Sequence, residues 1–234
     1  MPSDYSEFHA LVDPLHTMLS YIALCVLALA SVVSANFTAD SFIDAVLRDI
    51  HNEVRERKLD PLRATPFEVK TKLNGTTTTN QVLQANFTQG FFFGLSGLFR
   101  AGNCSYTTAQ DRLKIGCYIS LVRVRVAMDA DVKGDTILGS RHTIETSTLV
   151  HPSSCMLVEI QGPCRGSRAK LQRITIQRIT MISNVVRGTL NLRPAAFLNV
   201  TQSVHYALSN QLTAALLNRY SRALHAVLSW RAMP

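Results

Sequence analysis

Of five cysteines Cys25 lies in the N-terminal apolar run, and the other four, Cys104, Cys117, Cys155 and Cys164, are the residues whose type and spacing carry the plainest chemistry. None belongs to a Cys-x-x-Cys pair or stands at metal-ligand spacing from a histidine, so the expectation is disulfides rather than a thiolate metal site. Residues 103–118 read as strand, turn, strand about Ala109-Gln110-Asp111-Arg112. Folding there sets Cys104 opposite Cys117, and facing residues on paired strands lie within disulfide reach. Cys155 and Cys164 are then left to pair by elimination, across a short loop containing Gly162-Pro163.

Catalytic chemistry is not evident. Gly94-Leu95-Ser96-Gly97 lacks the Gly-x-Ser-x-Gly pattern of a nucleophile elbow. His51, His142, His151, His205 and His225 share no metal-ligand spacing. There is no phosphate loop, dinucleotide fingerprint, His-Glu-x-x-His or paired acidic motif. The chain therefore reads as non-enzymatic, with no catalytic residue, cofactor or metal assigned.

Two other features call for an account. Phe91-Phe92-Phe93 puts rings on both faces of a strand, either because the strand is buried on both sides or because Phe91 and Phe93 line an apolar cavity. The charge is also uneven: from Ile160 to Pro234 there are ten Lys and Arg and no Asp or Glu. Arg165, Arg168, Lys170 and Arg173 lead that stretch as candidates for holding a polyanion, an anionic membrane or a glycan surface. Without a motif interleaving basic and aromatic residues, nucleic acid is not the expected partner.

Leu19 to Val33 is an apolar run of fifteen residues followed by Ser34-Ala35-Asn36. It is short for a membrane-spanning helix, and the small residues Val33 and Ala35 suit signal peptidase, so residues 1–35 read as an extension and signal peptide cleaved after Ala35. An uncleaved signal anchor is the rival reading, and Met18 is an alternative start. Cleavage leaves 199 residues carrying a net charge of +11. Five sequons, at Asn36, Asn74, Asn86, Asn103 and Asn199, agree with a secreted, extracellular glycoprotein.

Apolar periodicity supplies the frame. At 47% hydrophobic and 17% charged, the composition excludes a disordered chain. Phe42, Ile43, Val46, Leu47, Ile50 and Val54 share one face of a helix over 40–58, ended by Asp60-Pro61 and Thr65-Pro66. From about Phe67 to Ile182 the period becomes two, predicting five or six antiparallel strands with a bulge or strong bend where the apolar phase shifts between Ile119 and Val124. Val204, Leu208, Leu212, Leu216, Tyr220, Leu224 and Val227 then form the stripe of one long helix after Pro194. The predicted fold is α+β: residues 36–234 as a single domain, a curved antiparallel sheet wrapped around an N-terminal helix and a long C-terminal amphipathic helix. A lipocalin-type barrel is the runner-up.

The chain resembles the group 7 mite allergens, arthropod members of the tubular lipid-binding family that includes bactericidal/permeability-increasing protein. The resemblance rests on element order and on local matches: Asp60-Pro61, Gly97-Leu98, the turn Arg100-Ala101-Gly102-Asn103, and the run Ile174 to Ile182 continuing through Asn184-Val185-Val186 and Gly188 to Pro194. Arg193 departs from it, standing where those proteins tend to have an acid. The resemblance implies a sheet wrapped around one or two long helices, an apolar or lipid-like ligand between them, and no catalysis. On that frame, periodicity turns Val204, Leu208, Leu212 and Leu216 toward Phe42, Val46, Ile50, Phe91 and Phe93, which are the expected lining of the ligand site. The alternative is an extracellular protein that adheres to polyanions or anionic membranes and has a solid core.

Overall fold

The computed structural model describes residues 38–73, 81–135, 140–163 and 168–234. Helix α1 covers residues 38–56 and buries Ala39, Phe42, Ile43, Val46, Ile50 and Val54. Its end is set before the proline. Lys58 adopts a left-handed φ of 55°, and Leu59 N–H closes back on Val54 O at 2.9 Å.

Eleven strands follow among the described residues: β1 (Leu62–Arg63), β2 (Phe67–Leu73), β3 (Gln81–Phe93), β4 (Phe99–Arg100), β5 (Ser105–Ala109), β6 (Arg112–Ser120), β7 (Arg125–Lys133), β8 (Arg141–Val150), β9 (Cys155–Pro163), β10 (Lys170–Arg178) and β11 (Met181–Arg187). All pairings between them are antiparallel. The first sheet runs β1-β3-β7-β8-β11 with β2 also on β3, and the second runs β10-β9-β6-β4 with β5 also on β6.

Much of the excess over the expected five or six strands has one cause, the rest being the two-residue strands β1 and β4. β6 leads into β7, β8 into β9 and β10 into β11, and the three pairs lie side by side in both sheets. They are three long strands, each bent at the same level. The bends are joined across by Leu121 N to Ser154 O (3.0 Å), Val150 N to Val124 O (3.1 Å) and His151 N to Thr180 O (2.8 Å). The inward phase changes there, from Ile115, Cys117 and Ile119 to Val124, Val126 and Met128, all nearly fully buried. This is the shift the sequence predicts.

Helix α2 (Pro194–Ala214), a π turn (Ala215–Tyr220) and α3 (Ser221–Leu228) make one continuous helix inside the curve of the sheets. Val200, Val204, Leu208, Leu212, Leu216, Tyr220 and Leu224 are each at most 5% exposed. A step of four residues overshoots an α-turn by about 40°, so this stripe drifts. The wider π turn, with its i to i+5 bonds, holds more residues per circuit and takes the drift back before Tyr220. The Gln211 side-chain amide fixes the helix to the edge of the first sheet, accepting from Thr65 N–H (2.7 Å) and donating to Thr65 O (2.9 Å).

Cys104–Cys117 is a disulfide, in the register the sequence predicts: Ser105 faces Gly116, and the hairpin turns through left-handed Gln110 and Asp111. Cys155, by contrast, has a free thiol. Gly162-Pro163 is the end of β9 and not a turn. Cys155 and Pro163 therefore stand at opposite ends of one extended strand, roughly 26 Å apart, and a disulfide needs Cα atoms within about 7 Å. Cys164 itself, like Arg165, Asn36, Asn74 and residues 1–35, lies outside the described residues.

Candidate apolar site between sheets and helices

The helices divide the interior into two apolar compartments. In the first, α2 faces the inner side of the first sheet. Ala85, Phe87, Val132 and Ile144 lie opposite Val200 and Val204 across a cleft enclosing about 30 Å³, with Phe197, 40% exposed, at its mouth. In the second, α1 and α3 face the second sheet. Val46, Met156, Ile160, Tyr220 and Leu224 surround an enclosed space of about 10 Å³. Both spaces fall below the several hundred Å³ of a drug-sized ligand pocket, so an occupant of that size requires a helix to move off its sheet.

The first compartment ends in a polar cluster. Ser183 Oγ lies 2.9 Å from His205 Nε2 and 2.7 Å from Thr148 Oγ1, and Thr148 is 1% exposed. Burial pushes the His205 imidazolium pKa down, which keeps the ring neutral at physiological pH. The cluster is thus an uncharged set of donors and acceptors beside an apolar wall.

The expected lining residues divide accordingly. Val204 lines the first compartment and Val46 the second, while Phe42, Ile50, Leu208, Leu212 and Leu216 are buried in the shared core. Phe91 and Phe93 are a correction. They sit on the outer face of the first sheet, Phe91 42% exposed and Phe93 beneath the Arg125 guanidinium at 5.1 Å. A bulge between Phe87 and Gln89 inserts one residue into β3 against β7 and inverts its alternation. Leu83, Ala85 and Phe87 point inward before it, and Phe92, 1% exposed, points inward after it.

Of the predicted basic residues, Lys170 and Arg173 reach the outer face of the second sheet and Arg168 is exposed just before β10. There they join Lys114, which the sequence reading did not include. Glu159 stands between them, 2.7 Å from Lys114 Nζ and 2.9 Å from Arg173 Nε. The hydrogen bond from Lys114, with the charges of Lys114 and Arg173, holds its carboxyl pKa below the usual carboxylate range against the opposing effect of burial. Glu159 is the one acid within this basic group.

Two further contact groups hold the compartments together. Asp60 accepts from Gly94 N–H (3.0 Å), Ser96 N–H (2.8 Å) and Ser96 Oγ–H (2.6 Å), closing the 3₁₀ turn Leu95–Gly97. Arg100 pairs with Asp40 (3.1 Å) and Asp44 (3.0 Å) of α1 and fixes that helix to the second sheet. Among the sequons, Asn103 and Asn199 are exposed and Asn86 is half-buried. Asn199 borders an open groove of about 580 Å³ between β2 and α2.

No family model matches the chain, and no curated protein matches it. Among solved structures it is similar to lipopolysaccharide binding protein, at 10% identity and a TM-score of 0.42, over 83% of this chain and 37% of that one. It is also similar to Takeout 1 of Epiphyas postvittana, at 11% identity and a TM-score of 0.40, over 84% of this chain and 95% of that one. The chain thus spans little more than a third of the length of the first.

Proposed function

We propose that the protein is a secreted, non-catalytic carrier of an apolar, lipid-like ligand held between α2 and the first sheet. The observation that carries this reading is the cleft between Phe87, Val132 and Ile144 on one side and Val200 and Val204 on the other, ended by the uncharged Ser183–His205–Thr148 cluster. An apolar wall with a few convergent polar groups is the usual make-up of a small-molecule site. The apolar run Leu19 to Val33, the sequons and the Cys104–Cys117 bond support export to an oxidising compartment.

The test is organic extraction and mass spectrometry of protein secreted by eukaryotic cells, followed by uptake of a fluorescent fatty acid. The expected result is a stoichiometric lipid and saturable uptake. Phe197→Asp at the exposed mouth should weaken uptake about tenfold by removing one apolar contact and placing a charge there. Protein that yields no lipid and takes up no fluorophore would overturn the reading.

A second reading has its own observation. Lys114, Lys170 and Arg173 gather on one face of the second sheet with Glu159 as their one acid, a surface suited to a sulfated glycan or anionic membrane. Reversing all three charges should bring elution from heparin to distinctly lower salt. Unchanged elution would dispose of that surface while leaving the carrier reading intact.

A further inference from the structure

The second compartment contains a group that ligand binding in the first does not explain. Tyr220 is 2% exposed, and its hydroxyl has no hydrogen-bond partner among the described residues. Every other residue lining the space, from Ile43 and Val46 on α1 to Met156 and Ile160 on β9 and Leu224 on α3, is aliphatic or methionine. A buried hydroxyl left unpaired is expensive, and such groups in native proteins call for a specific explanation. Phenylalanine would fill the same space without that cost.

Ordered water does not supply the partner. At about 10 Å³ the space is at the lower limit for one molecule, and a buried water needs two to four polar contacts where Tyr220 offers one. The local backbone singles out the same residue. Tyr220 closes the π turn Ala215–Tyr220, and single wide turns within α-helices occur often at functional sites.

We infer that the Tyr220 hydroxyl is the hydrogen-bonding anchor for an uncharged lipid carrying one oxygen function, an alcohol, ketone or ester, admitted between α1, α3 and the second sheet. The class follows from the walls. No cation lines the space among the described residues, and a carboxylate or phosphate buried there would have no counter-charge from them. Two arginines that meet α1 are already engaged, Arg100 by Asp40 and Asp44 and Arg231 by Asp49. Burial raises the Tyr220 ionisation far above its ordinary range, so the group donates as a neutral phenol. Admission requires α1 and α3 to part, which separates the aliphatic contacts lining the space and loads the Arg231–Asp49 ion pair between α1 and the end of α3.

This inference rests on the carrier reading, and the experiment separates the two. Wild type and Tyr220→Phe are titrated with a fluorescent sterol, a fluorescent fatty-acid anion and diphenylhexatriene, which has no polar atom. The expected result is sterol affinity five- to tenfold weaker in Tyr220→Phe, the worth of one net hydrogen bond, with diphenylhexatriene unchanged. Without ligand, the variant should also melt higher than wild type, since it lacks the unpaired hydroxyl. Equal sterol affinity in the two proteins, or a variant that melts lower, overturns the assignment of Tyr220 and leaves the carrier reading standing. Wild type that binds none of the three probes overturns both.

Discussion

Leu212→Ala should destabilise the protein by about 3–4 kcal/mol, as large-to-small changes at fully enclosed sites do. Leu212 is 0% exposed and lies inside the long helix, three residues before the π turn. The helix has 35 consecutive residues (21 α, 6 π, 8 α) and extends roughly 52 Å. It has no acid in its first turn and no side-chain cap, so its order comes mainly from packing of its buried stripe. Removing three carbons at the centre of that stripe leaves a void the two flanking sheets cannot both close. Urea unfolding should show a lower midpoint at unchanged slope. A loss below about 1 kcal/mol would mean that the helix is seated loosely enough to collapse into the gap.

The double variant Cys104→Ser, Cys117→Ser should lose about 3 kcal/mol, the loop-closure estimate for a short loop, here with a sequence separation of 13. The bond matters because β5 has no core of its own: all five residues from Ser105 to Ala109 are exposed. Only its ladder to β6 and the buried Cys104–Cys117 pair hold it. The same corner fixes α1, since Cys104 N–H donates to Asp40 at 2.8 Å. Amide exchange should therefore rise along β5 and at the start of α1 before the rest of the molecule responds. A variant with wild-type midpoint and protected β5 amides would show that the ladder suffices.

What the sequence made legible was local. The α1 face, the stripe from Val204 to Val227 and the Cys104–Cys117 register each follow from a period and a nearby turn. The fold class followed too, because the phase shift near Leu121 is a local signal of a bend. The Phe91–Phe93 face was misread because one extra residue after Phe87 inverts everything beyond it, and Thr88-Gln89 carries no mark of a bulge. The nearest hint is Gly90, where an added Cβ would lie 2.4 Å from Met128 Cγ and 2.8 Å from Ala127 O. Gly162-Pro163 looked like a turn because both are turn residues, yet they close a strand. The site was harder still. Ser183, His205 and Thr148 come from three elements: the first and last meet as β11–β8 partners, His205 reaches them only once α2 packs on that sheet, and Lys114 joins the basic group from outside the acid-free third.

The aligned bends settle which part of the molecule can yield. Three strands cross the crease together, and each is tied to its neighbour there by Leu121–Ser154, Val124–Val150 or His151–Thr180. Splaying one strand to enlarge either compartment would break ladders on both sides of the crease at once, so the sheet acts as a stiff yoke. The compliant member is the helix, held by the Gln211–Thr65 clamp, the His205–Ser183 hydrogen bond and the Arg231–Asp49 pair at its end, and between them by greasy contacts that re-form at little cost. A rod seated in a rigid yoke transmits displacement along its length. Material pressing α2 outward at Val204 would lever the π turn at Tyr220, and the two compartments would fill as partners or rivals, not as strangers.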